Sequence, residues 1–185
     1  MERTIRKTVI NLSKEALFIL ATVASAVILP QILHGAGLLL GVGGALGQML
    51  LPMYLPVMIL GFYRGAVSGA IVGFIAPLVS FAITGMPSST LLPYITVELV
   101  ATGILAGAFA NVKLFSVLRV LSVQVIAKAI RLAVFAATVI FSGATLTAQS
   151  LFAGILTSVP GLVLQLVLVG LFLAYTDKKR NERNG

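Results

Sequence analysis

The chain of 185 residues contains no cysteine, no tryptophan and a single histidine. Without cysteine there is no disulfide, no thiolate nucleophile and no thiolate metal ligand. Without tryptophan, any interfacial aromatic belt falls to tyrosine, which makes Tyr54, Tyr63, Tyr94 and Tyr175 the candidate anchors. The lone His34 makes no metal cluster, and zinc and di-metal sites fail for want of ligands, so no metal or other cofactor is expected. No G-x-x-x-x-G-K-S/T phosphate loop occurs, which excludes nucleotide hydrolysis by this chain. Acidic residues number 5, and only Glu98 falls inside an apolar run.

What is present is hydrocarbon. Hydrophobic residues make up 59% and charged residues 10%, against about 45–50% apolar usage in soluble domains. The chain reads as an integral membrane protein in one domain, 1–185, with no linker or low-complexity tract. The net charge of +8 does not point to nucleic acid, because Arg3, Arg6, Lys7 and Lys14 sit at one end and Lys178, Lys179, Arg180 and Arg183 at the other. Lys and Arg accumulate on cytoplasmic segments, so both termini, about 1–13 and 176–185, are expected in the cytoplasm and the number of spans is even. The N-terminus does not read as a cleaved signal peptide: Lys14 and Glu15 precede a long apolar stretch and no small-residue cleavage site stands out.

Six spans of about 20 residues can be drawn. The first runs from Lys14 to Leu33, with Pro30 loosening or kinking its last turn. His34 to Gln48 is short and rich in glycine, and reads as a flexible lid or partly re-entrant loop, or else as an N-terminal extension of the second helix. The second span is Met49 to Tyr63, with Pro52 and Pro56 placing irregular backbone near its outer end, and Arg64 marks an inner turn. The third is Ala66 to Thr84, followed by the outer loop Gly85 to Thr90. The fourth, Leu91 to Ala110, ends at Asn111 and Lys113. The fifth, Leu114 to Phe141, carries Arg119, Gln124, Lys128 and Arg131, and the sixth is Ser150 to Tyr175 after the outer loop Ser142 to Gln149. Every inner turn has a cation and the outer loops have none, so the span count and the charge rule agree.

Gly61, Gly65, Gly69 and Gly73 recur at intervals of four, and Gly103 with Gly107 repeats that spacing. Residues four apart share a helix face, and glycine there lets a neighbouring backbone approach closely, which is a packing signal. Gln124, Lys128 and Arg131 line one face of the fifth span. At about 1.5 Å per residue from Leu114, Lys128 lies about 21 Å and Arg131 about 25 Å along it, both in the outer half. Glu98 enters the fourth span by about 10 Å from outside, a depth at which it meets Arg131. A Glu98–Arg131 pair can serve only to fix helix register; it leaves Lys128 without an acid, which favours an external anionic or polar ligand. Arg119, about one turn from the cytoplasmic end, is expected to snorkel to the surface.

His34 stands at the outer junction of the first span, either as a polar-tipped interfacial ring or as a ligand or switch. Gln48, Met53, Tyr54 and Tyr94 occur near the same level. With Glu98, Gln124, Lys128 and Arg131 they are the candidate lining of an outward-facing pocket of apolar walls and few polar groups. An enzyme reading fares poorly. Ser68 in GAVSG vaguely resembles a rhomboid nucleophile turn, but it lies just past the inner turn whereas His34 lies at the outer face.

One family resemblance runs through these segments. His34 to Gly37 (H-x-x-G), Leu51 to Val57 (L-P-M-x-L-P-V), Pro77 to Phe81 (P-L-x-S-F), Thr84 to Pro87 (T-G-M-P), and Pro93, Tyr94, Glu98 and Leu99 follow in order. This order resembles that of the substrate-binding S-components of energy-coupling factor (ECF) transporters, over about Leu33 to Arg131. The resemblance implies an all-α bundle of six transmembrane helices in a bacterial or archaeal cell membrane, with both termini cytoplasmic. It implies binding of a vitamin or related micronutrient on the outer side, with His34 to Gln48 as the lid, and delivery through a membrane scaffold subunit and two ABC-type ATPases. Docking on the scaffold would use small residues of the first helix; here Ala21, Ala24 and Ser25 are the candidates, without the full A-x-x-x-A pattern of the family. The substrate does not transfer with the fold: Lys128 and Arg131 mildly favour a carboxylate or phosphate, such as pantothenate, and a polar neutral ring hydrogen-bonded to Glu98 and His34 is the alternative. A stand-alone secondary transporter or channel, and a membrane scaffold without a ligand, are the alternatives.

Overall fold

The computed structural model describes residues 2–43, 45–142 and 156–184. Among these residues there are helices and no strands: α1 (Glu2–Leu39), α2 (Ala45–Leu50), α3 (Tyr54–Arg64), α4 (Ala66–Thr84), α5 (Leu92–Phe109), α6 (Ser116–Ser142) and α7 (Val159–Asn184). Hydrocarbon offers the backbone no hydrogen-bond partner, so long apolar runs become helices even where Val and Ile are frequent. Five stretches are long and apolar enough to cross a membrane: Leu12–Leu39, Ala66–Thr84, Leu92–Phe109, Ser116–Phe141 and Val159–Arg180. Their outward faces carry Leu20, Ile28, Phe74, Ile104, Val125 and Val167, all exposed. The chain is thus a helical membrane bundle. Apart from Ser142, the expected third outer loop lies outside the described residues, as does the start of the expected sixth span.

Two expectations change. Pro30 does not end α1, which continues through His34 to Leu39 before a turn with Gly41 and Gly43 at positive φ. The second span has the irregular backbone expected near its outer end, and there it divides into two helices. It breaks at Leu51–Met53, where Leu51 adopts a φ of +47°. The cause is local: the ring of Pro52 disfavours the right-handed helical region for the residue before it. The 11 residues of α3 extend about 16 Å, roughly half of a hydrocarbon core of about 30 Å. The segment expected to be a lid is therefore divided between the last turns of α1 and the short helix α2.

α3 sits in the middle of the bundle, packed by α1, α4, α5 and α7. α6 joins α5 to α7, while α2 rests against α1 and α7. The tightest seam is between the antiparallel α4 and α5. A Cβ on Gly69 would collide with the backbone of Gly103, one on Gly73 with that of Leu99, and one on Gly107 with that of Ala66. Gly61 makes the corresponding approach of α3 to Gly103 and Ala106. The intervals of four in the sequence thus become direct backbone contact, the packing that membrane helices use in place of a hydrophobic drive. A single residue, Gly65 at φ +96°, links α3 to α4.

Ion pairs tie one end of the bundle. Arg64 meets Glu15 at 2.6 Å and lies 4.4 Å over the ring of Phe18, while Ser68 Oγ donates to Glu15 at 2.6 Å. Arg119 does not snorkel as expected. It is buried, donating to the Asp177 carboxylate, to Ser116 Oγ at 3.2 Å and to the Ala110 carbonyl at 3.0 Å. Asp177 extends from α7 far enough to receive it, and the guanidinium also satisfies a carbonyl left free where α5 ends.

Candidate functional site

The polar centre is built on α5, where Glu98 is buried to 1% exposure. Its two oxygens are shared among three donors. Lys128 Nζ of α6 lies 3.0 Å from Oε1, and Arg131 of α6 lies 2.9 Å from Oε2. Tyr54 Oη, from the first residue of α3, donates to Oε2 at 2.8 Å. The spacing of Lys128 and Arg131 places both on one face of α6, and the break before α3 lets Tyr54 enter from the middle of the bundle. Lys128 Nζ also stands 5.9 Å from the centre of the Tyr54 ring.

This geometry revises the simple pairing drawn from sequence. Glu98 does meet Arg131, but Lys128 is not left without an acid, because it takes the other carboxylate oxygen. Two cations and one anion leave a formal excess of one positive charge at membrane depth. Lys128 lies about 18 Å along α6 from Ser116, and a charge there costs at least about 2.5–3.5 kcal/mol on insertion scales unless it is compensated. Carboxylate and hydroxyl together meet only part of that cost. Chemically, the cluster suits the approach of one oxyanion to Lys128 and Arg131.

A second polar group lies beside it. Gln124 Nε2 donates to the Leu162 carbonyl at 3.1 Å and to Gln165 Oε1 at 3.2 Å. Gln165 Nε2 in turn donates to the Leu51 carbonyl at 3.1 Å, at the break between α2 and α3. Non-helical backbone at membrane depth must be satisfied by protein or water, and here α7 satisfies it with a side chain. Gly161 completes the support, since a Cβ there would strike the backbone of Met49 and Leu50. Gln165 was not among the site candidates drawn from sequence; an amide just past Pro160 in an apolar run was the available signal.

A cavity of about 160 Å³ between α6 and α7 is lined by Gln124, Lys128, Leu162 and Leu166. A larger one, of about 400 Å³, lies over α4, α5 and α6 and has no charged lining residue. The smaller cavity is the nearer to the polar centre, since Lys128 and Gln124 are among its lining residues.

The remaining candidates are placed as follows. Met53 is buried in the core shared by Tyr54, Val27 and Leu99. Tyr94 is buried with its ring 5.3 Å from that of Phe135, so it joins α5 to α6 and is not a surface anchor. Tyr63 and Tyr175 are exposed. His34 stands apart from Glu98, with its ring pressed against Gly47 of α2. The backbone of Gln48 belongs to α2, and its side chain lies outside the described residues. Ala21, Ala24 and Ser25 are exposed on α1, and Ser25 Oγ donates back to the Ala21 carbonyl at 2.8 Å.

Comparison with family models, with curated proteins and with solved structures found no match for this chain.

Proposed function

We propose that the chain is the substrate-binding membrane subunit of an importer of the energy-coupling factor type, taking up a vitamin or related micronutrient from the outer side. The observation that carries this reading is the buried Glu98 carboxylate shared by Lys128, Arg131 and Tyr54, which leaves one half-buried cation in excess. A resting bundle gains nothing from an uncompensated charge, whereas a solute carboxylate or phosphate completes it. The second span is the α2–α3 pair, which gives six crossings with both termini in the cytoplasm of a bacterial or archaeal cell. α2 then lies at the outer end as the cover of the site.

The chain is not an enzyme in this reading. ATP is hydrolysed by two ABC-type subunits that act through a membrane scaffold, consistent with the missing phosphate loop. The exposed small residues Ala21, Ala24 and Ser25 provide a face of α1 for that scaffold. The test is to purify the chain in detergent and identify small molecules released on denaturation by mass spectrometry. Thermal unfolding against a panel of vitamins follows, since a molecule that binds only the native state raises the unfolding temperature. No released molecule and no shift with any vitamin would sink the reading.

A second reading has its own observation. A broken span whose ends lie beside buried charges is also the arrangement of secondary transporters. Proteoliposomes containing this chain alone separate the two: solute accumulation driven by an ion gradient, without ATPase partners, would establish the stand-alone transporter.

A further inference from the structure

Four side-chain nitrogens are buried without a hydrogen-bond partner among the described residues: Gln31 Nε2, His34 Nδ1, Arg64 Nε and Arg119 Nε. The two arginines are otherwise engaged through their terminal nitrogens. Among the described residues the side chains of Gln31 and His34 make no hydrogen bond, and they lie one turn apart on α1. Val23 and Val27 continue the same face inward and pack with Met53 and Tyr54. Gln31 thus stands one turn along α1 from the Val27 wall that packs on Tyr54, and His34, one turn further, meets α2 at Gly47. Gly47 fits this place because its lack of a side chain lets the imidazole lie against it.

We infer that Gln31 and His34 form a hydroxyl-recognition subsite beneath α2, for a solute that carries a hydroxyl group at one end and an oxyanion at the other. The chemistry selects that group. One hydroxyl oxygen accepts from the Gln31 amide while its hydrogen is donated to the Nδ1 of a neutral imidazole, so both orphaned nitrogens are satisfied together. An apolar solute end leaves them unmade, and burying polar groups unpaired carries their full desolvation cost. The inference rests on the solute-binding reading above and adds the second end of the solute to it. α2 must lift for entry, which breaks the contact of Gly47 with His34.

His34 is the single histidine of the chain, so diethyl pyrocarbonate reports on this place alone among imidazoles. The experiment uses the purified full chain and three probes. Pantothenate has hydroxyls at one end and a carboxylate at the other; N-(3,3-dimethylbutanoyl)-β-alanine keeps the frame and the carboxylate but lacks the hydroxyls; panthenol keeps the hydroxyls and lacks the carboxylate. Pantothenate is expected to slow carbethoxylation of His34 with an affinity about tenfold above that of the hydroxyl-free probe, the scale of one well-made hydrogen bond. In Gln31→Leu that preference disappears, while the ligand-free variant unfolds at the wild-type temperature or above, because an unpaired amide has been removed. Protection by no probe, equal protection by the first two, or a preference that survives Gln31→Leu overturns the subsite. A fall of several degrees in the ligand-free variant also overturns it, since the amide is then a structural group. Panthenol matching pantothenate supports the subsite but sinks the anion-binding reading, which separates the two failures.

Discussion

Lys128 Nζ lies 3.0 Å from Glu98 Oε1, on the carboxylate oxygen that Arg131 does not use. The acid is therefore the common partner of both cations, and the three groups are unequal in what their removal leaves behind.

Glu98→Gln strips both cations of their counter-ion inside the bundle and is expected to cost about 3–5 kcal/mol, the range for breaking a buried ion pair from one side. Lys128→Gln leaves Glu98 paired with Arg131 and removes the excess positive charge, so the hydrogen bond lost, about 1 kcal/mol, is offset and the net change is expected to be near zero or stabilising. Chemical unfolding in detergent micelles measures both, and equal costs would contradict the shared-acid arrangement.

Tyr54→Phe keeps the ring in the core and removes only the donor to Glu98. The expected loss is about 1.5 kcal/mol, at the lower end for a hydrogen bond to a charged group because Arg131 still holds the same oxygen. Circular dichroism during unfolding reads it.

Gly69→Leu places a side chain against the backbone of Gly103, which cannot yield by changing a rotamer. A cost of about 3 kcal/mol is expected from overpacking. Gly35→Ala is the control: a Cβ there meets nothing within 4 Å, so a helix interior should gain about 0.5–1 kcal/mol. Opposite signs in the two unfolding midpoints check the seam.

Gln165→Leu removes the donor to the Leu51 carbonyl and the acceptor for Gln124. It should cost about 1–3 kcal/mol. Amide exchange around Leu51 should accelerate with it, since the break between α2 and α3 loses its support. Unchanged exchange would mean that Gly161 alone holds that segment.

Periodicity and charge were enough to read a helical membrane bundle, because hydrocarbon removes every alternative to internal hydrogen bonding. The partnership of Glu98 with Arg131 was legible too, because two charges at one depth in an apolar chain have few other places to go. The placement of Lys128 was not, since pairing by depth assigns one acid to one base and a carboxylate has two oxygens. Irregular backbone at Pro52 was legible, but a full break at Leu51 was not, because it depends on what satisfies the freed carbonyl. That partner, Gln165, is far away in sequence. Arg119 was misplaced for a related reason: snorkelling is the default for a basic side chain near a helix end, and Asp177 becomes an alternative only once α7 lies beside α6.

Where α4 touches α5 through Gly69 and Gly103, no layer of side chains lies between the two backbones to slide or repack. With α3 held against them through Gly61, these helices behave as a rigid body. The parts joined to it less intimately are α1, α2 and α7, which hold the segment around Leu51 through a few glycine contacts and one amide. Under the proposed solute-binding function, the expected opening is a hinge motion of that outer set about the block. Glu98 rides on the block, whereas Lys128 and Arg131, the cations proposed to meet an oxyanion, ride on α6 beside it.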